Sequence, residues 1–106
     1  MKVCKIAGPG VPVGTLFTFT VSGLPTFQIE AGPADQGGFC EVVGTIPVNT
    51  PVLVTEHLMP TSPYKVLTIT VACNACTYFI QSPIVTTTIG AGITEVDFTN
   101  IKKPGR

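Results

Sequence analysis

Charge is scarce in this sequence. Six Lys or Arg and six Asp or Glu stand among 106 residues, with one histidine, no tryptophan and a formal net charge of zero. An ordinary soluble domain carries about a quarter charged residues; this chain carries 11%. Without a basic excess there is no electrostatic footprint for nucleic acid or for an anionic membrane surface. No run of ~18 apolar residues occurs, so membrane insertion as a helix is not expected. Amphipathic stretches of period 3.6 are missing too, because ten prolines and eleven glycines interrupt the chain throughout. No internal repeat and no secretory leader is visible. Met1 runs straight into an expected strand, so it is expected to be an added initiator, or the chain a part of something longer.

What is present is hydrophobic residue in short alternating runs, 44% of the chain. Phe17, Phe19 and Val21 alternate with Thr18 and Thr20, the pattern of a half-buried strand. Further strands are expected at 2–6, 26–30, 39–43, 52–57, 64–72, 77–81, 84–89 and 94–100. In the fifth of these, 64–72, Leu67, Ile69 and Val71 are expected inward and Val66 out of phase. Residues 31–38, 58–63 and 90–92 read as loops or turns. Short strands with turn signals every 8–12 residues or so define an all-β chain, an immunoglobulin-like or prealbumin-like β-sandwich of about seven to nine strands. One domain is expected over residues 1–101, with a basic arm or linker over 102–106.

Four cysteines in so short a chain point to disulfides and an exported, extracellular protein. Three pairings are possible. Cys4 with Cys40 and Cys73 with Cys76 are the expected pair, the first because Cys4 lies on the face of strand one opposite Lys5.

Three strands share an oddity. In the last, Val96, Phe98 and Asn100 share one face, and Glu95, Asp97 and Thr99 the other, outward one, where the two carboxylates are expected to solubilise. Asn100 thus stands where a core residue is called for. Val3 leads on the same parity to Lys5, and Val52 and Val54 lead to Glu56. An amine, a carboxyl and a carboxamide, each continuing an apolar face, are expected to meet inside one core. A plainer reading makes Lys5 an edge residue that snorkels, Glu56 a solvated strand end and Asn100 a turn closer. Lys2 competes as the amine, but shares its parity with Cys4 and ranks below Lys5.

Val3-Cys4-Lys5, then Val54-Thr55-Glu56 with Pro60 and Tyr64 beyond, then Phe98-Thr99-Asn100, resemble in this order the Cna protein B-type domain, a prealbumin-like sandwich of Gram-positive pilins and adhesin stalks. Tyr64 comes one residue later than in that family, and the Cys73–Cys76 segment is an insert. The resemblance implies an intramolecular isopeptide bond between Lys5 and Asn100, with Glu56 catalytic. Burial would lower the pKa of the Lys5 amine and raise that of Glu56. A protonated Glu56 would then hydrogen-bond the Asn100 carbonyl and relay a proton to the departing ammonia.

Other chemistry is thin. Cys73-Asn74-Ala75-Cys76 has redox spacing but no helix N-terminus to activate a thiol. His57 alone cannot complete a zinc site. No metal or cofactor is expected, and no enzymatic activity beyond the self-directed bond. The expected function is a structural module of the cell surface: a stalk domain, or the repeating subunit of a filament or pilus that associates with copies of itself or with neighbouring domains. The alternative is an adhesin-type binding module whose loops recognise a surface ligand. The loops here are Gly, Pro and Ala rather than polar and aromatic, which favours structure.

Overall fold

The computed structural model describes residues 1–104; Gly105 and Arg106, the end of the expected basic arm, lie outside the described residues. Ten strands follow one another: β1 (Lys2–Ala7), β2 (Leu16–Val21), β3 (Phe27–Glu30), β4 (Gly32–Pro33), β5 (Phe39–Val42), β6 (Pro51–His57), β7 (Tyr64–Asn74), β8 (Tyr78–Gln81), β9 (Ile84–Thr88) and β10 (Ala91–Lys102). A single 3-10 turn at Ala34–Gln36 is the one helical element among the described residues. They form two sheets, a β-sandwich, as the alternating runs imply. The count exceeds the expected seven to nine because β4, a two-residue bridge, sits inside the stretch 31–38 read as loop.

One sheet has the order β4–β1–β10–β7, with β5 also on β1, and the other β3–β2–β6–β9–β8. The first and last long strands lie side by side and parallel, from Lys2 beside Glu95 to Ala7 beside Asn100. The other edge of β1 is shared: β4 runs parallel to Ile6 and Ala7, while β5 runs antiparallel to Lys2 through Lys5. Gly38 makes this sharing possible. Its φ is +79°, and a Cβ there would collide with the backbone of Lys5, so only glycine lets β5 turn back so close to β1.

Between the sheets, the side chains of alternate positions interlock. Val3, Val96 and Phe98 face Phe17, Phe19, Val21, Val52, Val54 and Val85, all of them buried. The Phe19 and Phe98 rings meet edge to face at 5.2 Å, a favoured aromatic geometry. Each such ring contributes about 1.5–3 kcal/mol through burial.

Two expectations about strands need correction. Leu67 was expected inward, yet it is 51% exposed, and Val66 is the half-buried residue. The cause is a bulge: Thr99 pairs with Thr68 but Asn100 with Val66, leaving Leu67 unpaired. One extra residue on β7 inverts the inward parity beyond it. In place of the turn expected at 90–92, β10 begins at Ala91, and its pairing with β7 is irregular between Ala91 and Glu95. At its far end β10 continues through Lys102. The Lys102 amide donates to Pro9 and the Lys103 amide to Pro63, so the first residues of the expected arm are held by the fold.

A candidate cross-linking site in the core

Three strands bring the reactive groups together. Lys5 is the fourth residue of β1, and Asn100 lies two pairs further along the parallel ladder on β10. Glu56 projects from β6 in the opposite sheet, where it pairs with Phe19 of β2. All three are sealed from solvent: Lys5 and Asn100 are 0% exposed and Glu56 is 1%. The plainer reading of an edge lysine and a solvated glutamate is therefore set aside by the geometry. Lys2 is occupied elsewhere, in an ion pair with Glu95 at 3.1 Å.

The Lys5 amine donates to Glu56 Oε1 at 3.1 Å, and Asn100 Nδ2 donates to Glu56 Oε2 at 2.5 Å. The carboxyl thus bridges the amine and the carboxamide nitrogen. The expected partner of Glu56, the carbonyl oxygen of Asn100, is instead buried with no hydrogen-bond partner among the described residues. An unpartnered buried acceptor is costly, and here it belongs to the group that would accept attack. Asn100's own backbone is pinned by Gly8, whose amide donates to the Asn100 carbonyl at 2.8 Å.

Electrostatics follow from the burial. Desolvation lowers the Lys5 pKa to about 8, against the opposing pull of Glu56, its counter-charge and hydrogen-bond partner. Desolvation likewise raises Glu56, opposed by the charge of Lys5 and by the bonds from Asn100 and Lys5. A buried ion pair gains less from Coulomb attraction than it loses from hydration unless its geometry is very good, so the neutral pair, amine and acid, is brought within reach. The Phe17 ring lies under the amine, 4.5 Å from its centroid, and Tyr64 packs edge-on against Phe17 at 5.7 Å. The packing of Tyr64 against Phe17 carries no signal in strand parity.

The cysteines pair as expected. Cys4 and Cys40 face each other across the β1–β5 ladder and are bonded, as are Cys73 and Cys76. These bonds suit an oxidising environment. No helix among the described residues is long and apolar enough to cross a membrane.

Glu95 and Asp97 depart from the solubilising role. Asp97 is half-buried between β1 and β7, and its Oδ1 lacks a hydrogen-bond partner among the described residues. Burial and then the neighbouring Glu95 push its pKa up to about 7, while Lys2 and Thr70 pull the other way. Glu95 is held low, chiefly by the proton Asp97 shares with it. Cys4 joins this pair within 4.8 Å, but its sulfur is committed to Cys40 and offers no thiolate. His57 is exposed and shares a hydrogen bond with Thr20. No protein-family model, curated protein or solved structure matches the chain.

Proposed function

We propose that this chain is a structural module of the cell surface, of the Cna protein B type, which stiffens itself by an autocatalytic amide bond between Lys5 and Asn100. The observation that carries the reading is the Glu56 carboxyl, whose two oxygens contact the nucleophile and the leaving group at once. The neutral Lys5 amine attacks Cγ of Asn100. Glu56 takes a proton from the amine through Oε1 and returns one to Nδ2 through Oε2. The Cγ–Nδ2 bond breaks, ammonia leaves, and the new Nζ–Cγ amide joins β1 to β10. No external reagent is needed. Three buried groups fixed within hydrogen-bond reach supply the effective concentration that an encounter in water lacks. Removing water also strengthens every charge interaction in the site.

A self-made cross-link serves permanence rather than turnover, since the site is consumed by its one reaction. The disulfides suit an oxidising compartment, and scarce charge with threonine on the outward strand positions suits a subunit or stalk domain that meets copies of itself. Intact-mass measurement tests the reading: the purified chain should be lighter than its sequence by one ammonia and two hydrogens per disulfide. A mass short only of the disulfide hydrogens would reject the bond.

A further inference from the structure

From Val66 to Thr94, a stretch that holds β8 and all of β7 beyond Lys65, the sequence has no Lys, Arg, Asp or Glu. Strand β8 ends its sheet, with β9 on one side and, among the described residues, nothing on the other. Its four residues, Tyr78-Phe79-Ile80-Gln81, are all exposed, Phe79 at 66% and Tyr78 at 53%. Edge strands are ordinarily guarded by charge, proline or a bulge, and Tyr78–Gln81 has none of these.

We infer that β8 is a self-pairing edge, and that two copies of this chain join there antiparallel about a two-fold axis through Phe79. The hydrogen-bond pattern fixes the register in which a second copy pairs. The Thr88 amide donates to the Thr77 carbonyl at 2.9 Å, and Tyr78 pairs with Thr87, Ile80 with Val85. In an antiparallel ladder bonded pairs alternate, so Thr77, Phe79 and Gln81 turn their backbone groups to β9. Tyr78 and Ile80 turn theirs to the open edge. A second β8, reversed, places its Ile80 opposite Tyr78 and its Tyr78 opposite Ile80. Each of those two facing pairs exchanges two hydrogen bonds, so every free group between them is matched.

The side chains agree with this register. Phe79 meets Phe79 of the copy across the axis on the outer face, and each Tyr78 lies beside an Ile80 on the inner face, where cross-strand aromatic and aliphatic pairs stabilise a ladder. Because the strand is neutral, nothing repels its own copy and nothing selects an oppositely charged stranger. The contact is isologous and closes on itself, so it couples modules in pairs, side by side. It deepens the self-association in the function proposed above, but stands on β8 rather than on the Lys5 site.

Sedimentation of the full chain from micromolar to millimolar concentration tests it. The wild type should double its mass from 11.1 kDa as concentration rises. Phe79→Lys and Phe79→Glu should each stay monomeric, since each sets like charges against each other at the axis, and their equimolar mixture should recover the dimer. Ile80→Pro, which deletes an outward amide that the monomer does not use, should also be monomeric. Unchanged melting temperatures certify that the variants are folded. A wild type that stays monomeric throughout overturns the inference, as do Phe79→Lys and Ile80→Pro variants that still dimerise. Intact mass on the same samples reports the Lys5–Asn100 bond separately, so the two readings fail independently.

Discussion

Replacing Glu56 by glutamine is the sharpest perturbation of the core. The side chain keeps its volume and can still bond Asn100, but it cannot pass a proton from amine to leaving group. The variant should therefore be heavier than the wild type by one ammonia, beyond the small mass change of the substitution itself. The stability cost follows from ring closure. Joining Lys5 to Asn100 closes a loop of about 95 residues, which in the chain-entropy model is worth about 4.7 kcal/mol. The Cys4–Cys40 bridge, with a sequence separation of 36, already short-circuits part of that loop. Cutting the loop to about 60 residues lowers the figure only to about 4.3 kcal/mol, because the dependence is logarithmic. At about 4–8 °C per kcal/mol for a domain near this size, melting should fall by about 17–34 °C. Glu56→Gln also strips Lys5 of its counter-charge, so Lys5→Met, long and apolar, is the companion variant: it loses the same bond without leaving a charge in the core. Mass spectrometry and calorimetry on the two variants and the wild type decide the matter. A Glu56→Gln chain that still sheds ammonia, or a fall below about 5 °C in both variants, would refute the reasoning.

Four further outcomes are expected. The fold favours protonated Asp97, with a pKa of about 7 against an ordinary 3.8, so the native state holds the extra proton and stability should fall as pH rises from about 4 to about 7; Asp97→Asn should flatten that fall in a series of thermal melts. Breaking Cys4–Cys40 by a double change to alanine should cost about 2–4 kcal/mol in denaturant unfolding. Phe19→Ala, which empties the space between Phe98 and Phe27, should cost about 3–5 kcal/mol by the same measurement. Gly8→Ala brings a Cβ into the Asn100 carbonyl oxygen and should slow ammonia loss in freshly refolded chain, followed by mass against time, while the end point stays the same.

Much of the core was legible because a strand between two sheets alternates with period two. Val52, Val54 and Glu56 are buried in alternate places, as are Val96, Phe98 and Asn100, so parity pointed Glu56 and Asn100 inward, though it left the plainer readings open. Parity has no access to pairing, and that is where it failed. Leu67 turns outward because of a bulge set by the register of β7 against β10. Strand β4 escaped notice because two residues, Gly32 and Pro33, carry no strand propensity, and their pairing is imposed by β1. Glu95 and Asp97 do lie on the outer face, as read, but their neighbours Lys2 and Thr70 come from other strands and half-bury them. Which atom of Asn100 meets Glu56 is a matter of one side-chain torsion, and no spacing in the chain encodes it.

The parallel pairing of β1 with β10 has a mechanical consequence. Lys2 lies beside Glu95 and Ala7 beside Asn100, so the chain enters β1 at one end of the ladder and leaves β10 at the other. Tension applied along the chain pulls the two strands past each other lengthwise, loading all their rungs together instead of peeling them apart one by one. An amide from Lys5 to Asn100 would sit within that same ladder. Force arriving at β1 would pass through Lys5 and Asn100 into β10 and out again, leaving the ninety-odd residues between them slack, so that the module would transmit a pull without lengthening.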